Sequence, residues 1–326
     1  MRRHTLLAAC AVATGALALT ACGTTEPAAD GAKKSSAALT LTDASGKEVK
    51  LDGPAKRVVG TEWNVVEHLV TLGVQPVGVS DVKGYGIWNQ SAPLTGAKEI
   101  GTRGEPSMDT IASLKPDVIV TTTDLPAAAV KQLRDVAPVL QVRSADSADQ
   151  IGQMTENLDL IAEATGTTDQ AEQVKKDFDA KLAEGRKALA DAGLDGTEIA
   201  FADGYVTSNQ VSLRPYTGTS LIGTVNERLG LKNAWTAEGD KDYGLASTDV
   251  EGLTKLSKDA QFAYIGNKDD AASDPFAHEL KDNAVWKSLP FVKSGAAHRL
   301  PDGIWMFGGQ ASMSAYVDAV VDALSK

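Results

Sequence analysis

EIGTRGEPSMDTIASLKPDVIVTTT, residues 99–123, holds the pattern that decides the fold. Met108, Ile111 and Leu114 recur at helical spacing, Lys115-Pro116-Asp117 stops that helix, and the β-branched run from Val118 to Thr123 reads as a buried strand. Just ahead of the helix, Arg103 lies between Gly101 and Gly104 with Pro106 following. A guanidinium is thus carried on a loop too rich in glycine and proline for helix or central strand. The module recurs: Asp109, Ile111, Leu114 and Asp117 are matched by Glu251, Leu253, Leu256 and Asp259, each 142 positions later (251 − 109). An apolar run, Phe262 to Ile265, again follows. A doubled helix-then-strand unit predicts two similar lobes.

Upstream, Leu39–Thr42, a turn at Ala44–Lys47 and Val49–Leu51 predict a hairpin. Val58-Val59-Gly60 begins a buried strand, Thr61–Asn64 follow it, and a helix bearing Val66, Leu69, Val70 and Leu72 ends at Gly73. Val77–Val79 is the next strand. Such alternation calls for an α/β lobe with a mainly parallel sheet, and ligands of such sheets lie beyond the strands' carboxyl ends. That rule puts Thr61–Asn64, the loop Lys83–Trp88 and Thr121–Asp124 near a site. Trp63, Tyr85 and Trp88 sit in or beside these loops, where core burial competes with exposure to a ligand. Trp88 lies in the polar, glycine-rich KGYGIWNQSAP, which lacks an apolar period and favours a ligand wall.

Downstream, Ser147 and Gln150 form a capping-box pattern for a helix to Ala164, with Ile151, Met154, Leu158 and Ile161 on one face and Gly166 ending it. Its place midway between the two modules makes it the expected rigid connector. A second helix carries Ala171, Val174, Phe178 and Leu182. The second lobe restarts with a strand at Glu198–Ala202. Arg214 and Tyr216 stand on an expected loop, and a helix spans Thr219–Leu229. Tyr243 and Gly244 precede the second module. Trp305 and Phe307 precede a Gly-Gly turn that opens the last helix, Met313–Leu324.

At the amino terminus, Arg2 and Arg3, an apolar run from Leu6 to Leu19 and the sequence Leu19-Thr20-Ala21-Cys22 read as an export signal. The run is shorter than the roughly 20 residues that a bilayer demands. Residues 23–38 lack any aromatic or β-branched apolar side chain except threonine and read as a flexible tether. The only cysteines are Cys10 and Cys22, and the first leaves with the signal, so the mature domain is stabilised by packing alone. The formal charge is −11, and loss of Arg2 and Arg3 takes it to −13, which argues against nucleic acid and anionic lipid as partners.

No GxGxxG, GxxxxGK[ST] or GxSxG pattern occurs. His68, His278 and His298 are scattered, so neither an enzyme constellation nor a protein-bound metal or other cofactor is expected. What recurs is aromatic residues and arginines on the connections between elements. That combination suits a medium-sized, partly polar ligand, with aromatic faces for its body and guanidinium for its oxygens.

The sequences RVVGTEWNVVEHLVTLGVQPVGVSD, IGTRGEPSMDTIASLKPDVIV and VWKSLPFVKSGAAHRLPDGIWMFGG, with the lipobox-like LTAC, together resemble the iron-siderophore substrate-binding lipoproteins of ABC importers. The resemblance implies two Rossmann-like α/β lobes with mainly parallel sheets, joined by a single long α-helix: the class III periplasmic-binding-protein architecture. The divisions expected are 1–21 signal peptide, 22–38 lipidated tether, 39–146 first lobe, 147–166 connecting helix and 167–326 second lobe. Cys22 would be lipidated, anchoring a monomer to the outer face of the cytoplasmic membrane. Arg103 falls where ferric-hydroxamate binders carry a ligand-contacting arginine, and Trp63, Trp88, Tyr243 and Trp305 fall in cleft-lining loops. Tyr85, Arg214 and Tyr216 complete the candidate set. Asp109 and Glu251 match acids that dock on the permease, with aspartate at Asp109 where glutamate is usual. The ligand implied is a ferric siderophore, hydroxamate favoured, whose chelator alone holds Fe(III). Cobalamin or haem on the same scaffold is the alternative, and a non-transport surface lipoprotein the more distant one.

Overall fold

The structure, a computed structural model, describes residues 37–326. The signal, Cys22 and nearly all of the expected tether lie outside the described residues.

In the first lobe, five strands form one wholly parallel sheet. From one edge to the other they are Lys98–Glu99, Gly78–Val79, Val58–Gly60, Val118–Thr122 and Val139–Val142. Val118–Thr122 is buried along its whole length, as its β-branched run requires of a strand covered on both faces. The chain builds outward from Val58–Gly60 on one side, then returns to add Val118–Thr122 on the other. The strand order therefore reverses between these two, and a crevice opens at their carboxyl ends. Thr61 and Thr121 mark its floor, hydroxyl to hydroxyl at 2.7 Å. The hairpin Leu39–Thr42 and Glu48–Leu51 packs Leu41, Val49 and Leu51 against this lobe's core.

The second lobe is mixed. Glu198–Thr207 pairs in parallel with Gln261–Tyr264 and, at its start, with Lys232–Asn233; Gln261–Tyr264 pairs in parallel with Ala297–Arg299. Gln210–Pro215 runs antiparallel to the later half of Glu198–Thr207.

The duplicated module extends to its helix cap. In the first lobe Ser107 accepts from the Thr110 amide and starts the helix Met108–Leu114, which feeds Val118–Thr122. In the second, Asp249 accepts from the Gly252 amide and starts a single 3-10 turn, Glu251–Lys255, which feeds Gln261–Tyr264. Both cap pairs keep the 142-residue offset.

The connector differs from expectation. The helix Gln150–Thr165 is present, but Asp149 caps it by accepting from the Gly152 amide, while the Ser147 hydroxyl donates to the Lys241 carbonyl. Its Met154 belongs to the second lobe's core, whereas Leu158, Ile161 and Ala162 belong to the first's, so the chain is still in the first lobe when this helix ends. The crossing is made by the next helix, Thr168–Asp191. Ala171 and Val174 pack in the first core, and Phe178, Leu182 and Leu189 in the second. At 24 residues it rises about 36 Å. The apolar periodicity revealed both helices but did not show which one bridges the lobes.

A second junction lies between the lobes. Glu67, fully buried on the first lobe's helix Trp63–Thr71, accepts from the Ser312 amide at 2.8 Å, the Ser312 hydroxyl at 2.7 Å and the Asn89 side-chain amide at 2.6 Å. Ser312 is in the first turn of the final helix, Gln310–Leu324, whose Met313, Tyr316, Val317 and Val320 lie in the second lobe's core. A carboxylate from one lobe thus satisfies the open amino end of a helix from the other. Gly308 is needed for this approach, since a Cβ there would sit 2.2 Å from Glu67 Oε2. Among the described residues, no helix is long and apolar enough to cross a membrane.

Candidate functional site

A cavity of ≈ 370 Å³ opens between the carboxyl ends of the two sheets. The first lobe contributes Glu62, Asn64, Arg103, Thr122 and Asp124, and the second Arg214, Tyr243, Leu245, Trp305 and Phe307, with Ser144 at the junction.

Arg103 occupies the turn of a tight hairpin, Gly101–Thr102 with Glu105–Pro106. Gly101 (φ 107) is required there because a Cβ would come within 2.8 Å of the Glu105 carbonyl. The hairpin aims the guanidinium back over the lobe. Its Nε donates to Glu62 Oε2 at 2.9 Å, and its carbon lies 4.3 Å from the Trp63 ring centre and 5.4 Å from that of Trp305. Burial raises the Glu62 carboxyl above its ordinary range, Arg103 pulls it back, and the nearby Asp124 charge adds to the rise.

Across the cavity Arg214 is held by both oxygens of Asp203, with Nε to Oδ1 at 2.8 Å, and lies 5.4 Å from the Phe307 ring centre. Tyr243 reaches from the second lobe to donate its hydroxyl to Asp124 of the first. Burial and then that bond push its phenol pKa up, so it stays a donor. Trp305 and Phe307, ring centres 5.2 Å apart, form the aromatic wall, with Tyr243 edge-on to Phe307 at 5.5 Å.

Arg103, Arg214, Tyr243 and Trp305 therefore reach the cavity directly. Trp63 and Trp88 stand behind Trp305, at 4.8 and 6.4 Å between ring centres; Trp63 is buried, its indole N–H donating to the Ser80 carbonyl, and Trp88 is half-buried. The expected ligand-wall role of Trp88 is corrected to support of Trp305. Tyr85 and Tyr216 are corrected further, because both are core residues, 0% and 1% exposed. The Tyr85 hydroxyl donates to the Ala92 carbonyl and that of Tyr216 to Asp203.

The cause is local. Lys83–Trp88 is no loop but part of the helix Val82–Trp88, capped by Asp81, and a Cβ on Gly84 would meet both the capping Asp81 carboxylate at 2.2 Å and the Trp63 ring at 2.6 Å. Arg214 lies on the strand Gln210–Pro215 with Tyr216 two positions on, the same-face spacing of a strand, and both reach the Asp203 carboxylate; only the longer guanidinium extends to the cavity, while Tyr216 stays buried. Phe307, Ser144 and Leu245 were missed as site residues. For Phe307 the signal was its spacing of two from Trp305.

Asp109 and Glu251 are exposed in the first turns of their equivalent helices, outside the cavity. Behind the cavity, His68 is buried with its Nδ1 unpartnered among the described residues, and burial lowers its pKa to about 4.

A family model described as periplasmic binding protein matches residues 58–302. A probable siderophore-binding lipoprotein of Bacillus subtilis, YfiY, is 27% identical over 310 residues, covering 92% of each chain. Among solved structures, the Fe3+-Desferal-bound siderophore-binding protein FhuD from Vibrio cholerae superposes with a TM-score of 0.73 at 24% identity, covering 83% of this chain and 98% of that one. The triscatecholate siderophore-binding protein FeuA from Bacillus subtilis, complexed with ferri-bacillibactin, gives 0.69 at 20% identity, covering 88% and 98%. The family match runs from the first parallel strand of one lobe through most of the other, ending three residues before Trp305, and the chain belongs to the periplasmic binding protein family.

Proposed function

We propose that this protein is the extracytoplasmic receptor of an ABC importer, capturing an intact ferric siderophore of the hydroxamate type and handing it to the permease. The carrying observation is the interlobe cavity, walled by Trp305 and Phe307 and flanked by one guanidinium from each lobe. Aromatic faces suit the aliphatic body of a chelate, and guanidinium N–H groups suit its outward-facing oxygens. Iron is cargo here, its coordination filled by the chelator, and the protein performs no chemistry on it. The chain works as a monomer, tethered through lipid on Cys22, with Asp109 and Glu251 meeting basic pockets of the permease. The similar proteins support iron-chelate binding, and the ligands bound by two of them span desferal and a tris-catecholate siderophore. Hydroxamate is favoured because the cavity holds only two guanidiniums, both already paired.

Titration of tryptophan fluorescence with a ferric tris-hydroxamate and a ferric tris-catecholate tests this. Trp63, Trp88 and Trp305 lie at the cavity wall or directly behind it and report binding. The expected result is tighter binding of the hydroxamate; tighter binding of the catecholate overturns the choice of ligand class.

A further inference from the structure

We infer that the cavity selects for positive charge on its ligand and that Asp124 is the residue that does so, favouring chelates that carry a protonated amine on their periphery. The inference rests on the ferric-siderophore reading and deepens it.

The charges at the cavity do not balance. The Arg103 guanidinium is committed to Glu62, and the Arg214 guanidinium to Asp203. Asp124 is the third carboxylate, and among the described residues no lysine, arginine or histidine lies within ion-pair distance of it. Among the described residues its one hydrogen-bond partner is the Tyr243 hydroxyl, which steadies the carboxylate without neutralising it. Three carboxylates against two guanidiniums leave one formal negative charge, and that charge is at an exposed residue on the wall, reachable by an incoming cation. The surplus is felt locally, because the Asp124 field adds to burial in holding up Glu62. The chain's overall charge of −11 acts in the same sense at long range.

Ligand chemistry divides along this line. Three hydroxamate monoanions cancel the charge of a ferric ion, so a protonated amine on the chain end makes the complex a cation. Three catecholate dianions leave a strongly anionic complex, which would have to enter against Asp124 or prise open one of the two ion pairs. A terminal ammonium instead gains a partner at Asp124 while both pairs stay intact.

The test uses a matched pair: a linear ferric tris-hydroxamate ending in a primary amine, and the same chelate with that amine acetylated. Calorimetric titration of the wild-type protein should give roughly two- to fivefold tighter binding of the amine form at low salt, the range of a partly exposed ion pair. The ratio should shrink as salt is raised. In Asp124→Asn, which keeps an oxygen for Tyr243, the ratio should fall to about one. Equal wild-type affinity for the two forms, or a ratio unchanged in Asp124→Asn, overturns the inference and leaves the hydroxamate reading standing. Binding of neither hydroxamate with tight binding of a ferric tris-catecholate overturns both.

Discussion

Arg103 is stacked on Trp63, edged by Trp305 and tied to Glu62, so its guanidinium is fixed before a ligand arrives. Replacing it with alanine should weaken siderophore binding by about 2 kcal/mol, roughly thirtyfold in Kd, since a charge-assisted contact to ligand is lost. Arg103→Lys should recover only part, because an ammonium lacks both the planar fork and the stacking face. Wild-type affinity in Arg103→Ala by fluorescence titration would remove this residue from the site.

His68 makes a different prediction. Burial lowers its pKa from the ordinary 6.5 to about 4, so between those values the unfolded chain takes up a proton that the folded chain refuses. Its effect on stability is therefore absent above about pH 6.5 and grows to a loss of about 3 kcal/mol as pH falls toward 4. The neighbouring Glu67, raised by burial, works the other way: its contribution is full below the ordinary carboxyl range and lost as pH rises through the raised value. Urea midpoints measured from pH 7 to 4 should fall less steeply in His68→Asn than in wild type. An identical slope would mean that His68 is not the group responsible.

At the scale of elements, the clasp between the helix Trp63–Thr71 and the amino end of Gln310–Leu324 depends on a missing side chain. Gly308→Ala would push a methyl into Glu67 and should cost about 2 kcal/mol, lowering the thermal midpoint by roughly 4–8 °C. Gly86→Ala is the control. Gly86 lies inside the helix Val82–Trp88 with nothing within 4 Å of an added Cβ, so the change should be neutral or stabilising by up to about 1 kcal/mol. Comparable midpoints for the two variants would show that the clasp tolerates separation. How much of this was legible follows from what pattern reports. The doubled module, the parallel sheets and the hairpin were readable because periodicity and stop signals act locally. The crossing helix was not, because Gln150–Thr165 and Thr168–Asp191 are both amphipathic and only their packing partners differ. Glu67 escaped notice for a related reason: a glutamate among apolar helix residues gives no sign that a helix 245 residues away will supply its hydrogen bonds. Arg103 stood out between two glycines, whereas Tyr85 and Tyr216 resembled loop aromatics, because no sequence signal marked the short helix that buries the one or the Asp203 carboxylate that takes the hydroxyl of the other.

For the whole molecule, Asp109 and Glu251 are equivalent in the duplicated unit and exposed, one on each lobe. Reversing both to lysine should abolish uptake while leaving siderophore affinity at the wild-type value, because complementary charge governs docking and neither residue lines the cavity. Uptake at the wild-type rate, or an affinity that collapses with transport, would refute the docking role. The lobes themselves are held by the long helix Thr168–Asp191 and, at a second point, by Glu67 on Ser312. A receptor pinned in this way has its walls standing before the cargo comes, and capture does not wait for a door to shut. Arrival rates should then be set by diffusion and charge and vary little among similar chelates, within about one to three decades. Discrimination falls to the departure rate: the protein tells its ligands apart by how long each one stays.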